Sequence, residues 1–154
     1  MTRLSAGTAP IRRIALRRVW LVGPLAGVIA AMFNIVVYLA VSALGLLPPT
    51  LLVPGQEQPI TLTAVLMASF IASLLAMVVL ALLVRFNRRP IRVFWIVGVV
   101  FLLLSFAGPL TIPGITGLAI LALLVMHVVA GLTILIMLTT WTREQAGAPM
   151  RAVQ

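Results

Sequence analysis

Four stretches of this chain are almost wholly apolar, and short polar segments separate them. They cover residues 19–47, 60–84, 91–112 and 115–141. Each is near or above the roughly 20 residues that an α-helix needs to cross a hydrocarbon core about 30 Å thick. The pattern predicts helices at about 19–46, 60–84, 91–112 and 115–141, between a basic segment at 1–18 and a tail at 142–154. The third stretch contains Gly108-Pro109, which either ends the helix near Phe106 or kinks it. Membrane helices tolerate such a proline, so a full span is expected, with Pro113-Gly114 folding the fourth helix back against the third. The first stretch is far longer than the 7–15 residues of a signal-peptide core, and an uncleaved helix is expected there.

Composition agrees with lipid as the solvent. Of the 154 residues, 63% are hydrophobic and 8% charged, against roughly 45–50% and about 25% in soluble domains. A chain this short has too little interior to hide that much apolar surface from water. There is no Cys, which excludes disulfides, thiolate metal sites and cysteine-linked lipids. The expected fold class is all-α, an integral membrane four-helix bundle.

Charge sets the expected orientation. The net charge is +9, and every basic residue is Arg. Five Arg residues precede the first span (Arg3, Arg12, Arg13, Arg17 and Arg18). Arg85, Arg88, Arg89 and Arg92 lie between the second and third spans, and Arg143 and Arg151 follow the fourth. The other two loops have none. Four spans put all three basic segments on one side, which the positive-inside rule makes the cytoplasm. Both termini are therefore expected to be cytoplasmic, in the inner membrane of a bacterium; the bacterial source rests on the Arg-for-Lys bias of GC-rich codons. Trp20, Trp95 and Trp141 fall at the cytoplasmic helix ends, as an interfacial aromatic belt predicts. Arg12, Arg13, Arg17, Arg18, Arg85, Arg88, Arg89 and Arg92 are candidate contacts for anionic lipid headgroups. The basic segments are too short to form a nucleic-acid-binding fold, so no nucleic-acid partner is expected.

Apart from Arg92, at the very start of the third, the predicted spans hold no Asp, Glu, Lys or Arg, and His127 is their one histidine. Ion-coupled carriers and voltage sensors usually place ionisable groups there. Gly23, Gly27, Ala31, Asn34, Tyr38 and Ser42 follow one another at steps of three and four, one face of the first helix. Gly23, Gly27 and Ala31 let another backbone approach and form a candidate association surface, within the bundle or with another chain. Counting about 1.5 Å per residue from each span centre puts Asn34, Ser69, Ser73, Ser105 and His127 within roughly 5 Å of the midplane. They are expected to form one buried polar layer.

That layer has a structural reading, in which Ser hydroxyls satisfy Asn34 and His127 and fix helix register. It also has a functional one, a ligand or transport site around His127 and Asn34. A nucleophile–base pair of Ser105 and His127 would need a third, orienting acid, and no Gly-x-Ser-x-Gly elbow surrounds Ser105. Haem would need an axial His with Met126 or Met32 as second ligand, and a single His gives that little support. No cofactor, metal or catalytic residue is assigned.

The chain resembles a family of small bacterial four-span membrane proteins known only as a domain of unknown function. The resemblance rests on Ala31-Met-Phe-Asn34, Pro59-Ile-Thr-Leu62, Leu104-Ser-Phe-Ala-Gly-Pro109 and Met126-His-Val-Val-Ala130, and covers residues 15–141. It implies a compact four-helix bundle and adds weight to Asn34 and His127, without naming an activity or a ligand. The function expected is non-enzymatic, acting through helix association as a homo-oligomer or as an accessory subunit to another membrane protein. A small oligomeric channel or permease is the second possibility, and an intramembrane enzyme the third.

Overall fold

The computed structural model describes residues 14–46 and 60–143. They form helices α1 (Leu16–Ala43), α2 (Leu62–Phe86), α3 (Pro90–Ser105), the single turn α4 (Ala107–Leu110) and α5 (Gly117–Thr140). With α3 and α4 taken together as Pro90–Leu110, all four helical spans are long and apolar enough to cross a membrane. The outside of the bundle is as apolar as its inside: Leu21, Val36, Phe101 and Leu104 are each more than half exposed. Such a surface is stable only against lipid.

Local chemistry sets the element ends. Thr61 and Thr116 cap α2 and α5, their hydroxyls accepting from the backbone N–H of Ala64 and Ala119, as helix N-termini require. α1 ends in a Schellman motif: Leu46 N–H reaches the Val41 carbonyl and Gly45 N–H that of Ser42. The motif needs a left-handed residue, which Gly45 supplies at φ +68. Gly114, at φ +70, does the same in the turn before α5. Asn87 Oδ1 accepts from Arg89 N–H at 2.8 Å, and Pro90 then opens α3, where its missing donor costs nothing.

α1 begins at Leu16 and α2 ends at Phe86, beyond the expected Val19 and Val84. Arg17, Arg18 and Arg85 therefore stand on terminal helical turns. The backbone keeps its helical bonds past the point where side chains turn polar, so helix ends and hydrocarbon edges do not coincide. In the third span the interruption comes at Phe106. Pro109 has no N–H for the Ser105 carbonyl four residues back, and its ring crowds that carbonyl. The helix breaks there and resumes for one turn.

Neighbouring spans run antiparallel. α1 packs against α2 along its length and also against α5, while α3 leans on α2 and α5. The main core joins Val19, Val22, Ala26 and Ala30 of α1 to Met77 and Leu80 of α2, Phe94 of α3, and Ile134, Leu135 and Leu138 of α5. A smaller cluster of Val65, Ile112, Leu123 and Met126 closes the other end. The ends of the described chain meet: Ile14 pairs with Arg143 in an isolated antiparallel bridge, and Ala15 N–H donates to the Thr142 carbonyl at 3.1 Å. Trp20, Trp95 and Trp141 are all on this side, together with Arg17, Arg18, Arg85, Arg88, Arg89, Arg92 and Arg143.

Candidate functional site

The polar side chains of the spans fall into two groups rather than one layer. The first is the seam between α1 and α2. Asn34 Nδ2 donates to Ser69 Oγ at 3.1 Å, and Ser69 Oγ donates to the Val65 carbonyl at 2.9 Å. Nearer the arginine-rich end, Ser73 Oγ donates to the Gly23 carbonyl at 2.7 Å. All three side chains are buried, Ser73 completely. At the far end Tyr38 Oη donates to the Ile60 carbonyl at 3.2 Å.

Glycine makes this seam possible. A Cβ on Gly27 would lie 2.9 Å from the Phe70 ring, 3.1 Å from Ser73 Cβ and 3.3 Å from Phe70 Cα. A Cβ on Gly23 would lie 2.4–2.7 Å from three atoms of Met77. The face carrying Gly23, Gly27 and the buried Ala31 is thus filled by α2 of the same chain at Gly23 and Gly27. Close approach is what lets Ser73 reach a main-chain carbonyl on a neighbouring helix.

One atom in the seam has no partner. Asn34 Oδ1 is buried and makes no hydrogen bond among the described residues. Because Ser69 spends its proton on Val65, only one half of the Asn34 amide can be satisfied by it. An orphaned acceptor of this kind costs about 1–3 kcal/mol.

The second group belongs to α3 and α5. Ser105 Oγ donates to the Leu102 carbonyl at 2.6 Å. His127 Nδ1 lies 2.7 Å from the Leu123 carbonyl. A carbonyl can only accept, so Nδ1 carries the proton. Both side chains are half-buried and both turn back onto their own helices. The structure joins neither to Asn34, and it does not join them to each other.

Of the arginines, Arg17, Arg85, Arg88, Arg89 and Arg92 are exposed around one end of the bundle. Arg18, also exposed, donates from Nη1 to the Arg143 carbonyl at 3.2 Å. Arg12 and Arg13 lie outside the described residues. Arg143, which sequence reasoning did not single out, donates from Nε to the Thr139 carbonyl at 2.7 Å.

Sequence reasoning also missed an open groove of about 530 Å³ between α1 and α5, lined by Ile29, Phe33, Val129, Thr133, Ile136 and Trp141 among others. Its walls are apolar, and the Thr133 hydroxyl is spent on the Val129 carbonyl. Apolar residues on two lipid-facing helices give no sign of a groove until it is known that those helices adjoin.

No curated protein and no solved structure matches this chain. A family model does match, from residue 14 to residue 144, an interval that takes in all four spans and both polar groups. The chain belongs to that family, which is described as a family of unknown function, DUF6069.

Proposed function

We propose that this multi-pass membrane protein is non-enzymatic and acts through its helix surfaces, as a homo-oligomer or as an accessory subunit to another membrane protein. The observation that carries this reading is where the buried polar groups are spent. Asn34, Ser69 and Ser73 bond across the α1–α2 seam, the use expected of groups that fix helix order and register. What remains for function is the outside of the bundle. The third span presents most of itself there, with 11% of its apolar 18-residue stretch buried against 28–33% of the corresponding stretches in the other three. The arginines gathered at one end support a cytoplasmic placement of both termini in the inner membrane of a bacterium.

Native mass spectrometry of protein gently extracted from its own membrane tests this. A homo-oligomer or a stoichiometric second protein is the expected result. A bare monomer holding a small molecule that Asn34→Ala releases would overturn it.

A second reading, a small oligomeric channel or permease, draws on the unpartnered Asn34 Oδ1, which a passing hydrogen-bond donor would satisfy. It requires solute flux in proteoliposomes that falls in Asn34→Leu while the fold survives. The intramembrane-enzyme reading lacks geometric support, since the Ser105 hydroxyl donates to its own helix rather than to the imidazole.

A further inference from the structure

The groove between α1 and α5 has the length and the charge of a site for one lipid molecule. Val129 lies at the middle of α5, and Trp141 caps that helix at the arginine-rich end. The interval is twelve residues, about 18 Å along the helix. One leaflet of a hydrocarbon core about 30 Å thick is about 15 Å deep. Along α5 the groove thus runs from mid-membrane to a single interface, the path of one acyl chain, while on α1 Ile29 and Phe33 line its mid-membrane end.

The interfacial end carries the charge. Arg18 precedes Ile29 by eleven residues on α1, which at about 100° per residue brings it within roughly 20° of the groove-lining face. Arg143 lies just beyond the end of α5, two residues after the groove-lining Trp141. Arg18 touches the Arg143 carbonyl, so the two lie side by side where the groove opens to the interface. Among the described residues each spends one N–H on a backbone carbonyl, out of the five donors of a guanidinium. Against eleven Arg the chain has two acids, Glu57 and Glu144, both outside the described residues. The geometry points to a bound anionic phospholipid of the arginine-side leaflet: one acyl chain lies in the α1–α5 groove, and Arg18 and Arg143 hold the headgroup phosphate.

This site differs from the diffuse attraction of a basic surface, because it needs these two arginines and an open groove. The test is native mass spectrometry of the whole protein in detergent. Phosphatidylglycerol and phosphatidylcholine with the same acyl chains are added at equal concentration. One phosphatidylglycerol should be retained per chain in preference to phosphatidylcholine. Arg18→Gln with Arg143→Gln should lower that retention about tenfold or more, whereas Arg3→Gln with Arg151→Gln, an equal loss of charge elsewhere in the chain, should leave it in place. Ile136→Trp, which fills the groove and keeps both arginines, should also release the lipid. It decides the matter if circular dichroism shows the Arg18/Arg143 variant to be misfolded.

Equal retention of the two lipids would overturn the proposal. So would equal losses in the two arginine pairs, or an Ile136→Trp variant that still holds phosphatidylglycerol. A dimer that Ile136→Trp dissociates would give the groove to a second copy of the chain and overturn it too.

Discussion

The α1–α2 seam and the α3–α5 seam are both built around glycines, yet they are different kinds of joint. Between α1 and α2 the glycines bring backbones together, and hydroxyl and amide groups bond across the gap. Between α3 and α5 the glycines are sockets. Leu135 lies over Gly98, and Leu102 lies over Gly131, with no side-chain hydrogen bond crossing between the two helices among the described residues. In lipid, apolar burial gives little drive for helices to associate, so contact must come from close packing and polar bonds. The first seam uses both and the second only one. That difference accounts for a third span that buries so little of itself.

The largest effect should come from forcing the first seam apart. Gly27→Leu must displace the Phe70 backbone as well as its ring, and should cost about 3 kcal/mol in reversible unfolding from detergent. Asn34→Leu tests the orphaned oxygen. It removes the orphaned acceptor, a gain of about 1–3 kcal/mol, and also the bond to Ser69, a loss of about 0.6–1 kcal/mol, so stability should be unchanged or rise by up to about 2 kcal/mol. A loss of more than about 2 kcal/mol would show that Oδ1 has a partner in the membrane. Ser73→Ala removes one bond between helices and should cost about 0.6–1 kcal/mol, read as a lowered melting temperature. The smallest effect is expected in the second seam. A Cβ on Gly98 would come within 2.3 Å of Leu135, but of a methyl group at the end of a flexible side chain. Gly98→Ala should therefore cost less than about 1 kcal/mol as Leu135 changes rotamer. If Gly98→Ala proves as damaging as Gly27→Leu, the two seams are equally rigid and the contrast fails.

The four spans were legible because hydrophobic run length is a direct image of membrane thickness. At Gly108-Pro109 the sequence left two outcomes open, a helix end or a kink, because Pro109 removes a donor without saying whether the helix resumes. Depth counting from the span centres put Asn34 and Ser69 near one level, and they are hydrogen-bonded. Azimuth was harder to read. Ser105 and His127 lie at similar depths, but hydroxyl and imidazole groups on a helix always have a carbonyl three or four residues back within reach. Depth alone does not say whether they will look outward or fold back. The glycines announced a close approach without saying to which helix. The groove, and with it the pairing of Arg18 and Arg143, depends on α1 adjoining α5, which no local pattern encodes.

The junction of Ile14 and Ala15 with Thr142 and Arg143 has a consequence for the order of assembly. Synthesis is vectorial, so α1 can dock onto α2 as soon as the second span is inserted, while its contact with α5 waits until nearly the whole chain has been made. The bundle is in effect a ring whose clasp is supplied last. Nascent chains arrested before residue 117 should show crosslinking between α1 and α2 but leave the other flank of α1 open to lipid. Chains lacking residues 142 and 143 should insert all four spans and still fail to close the clasp.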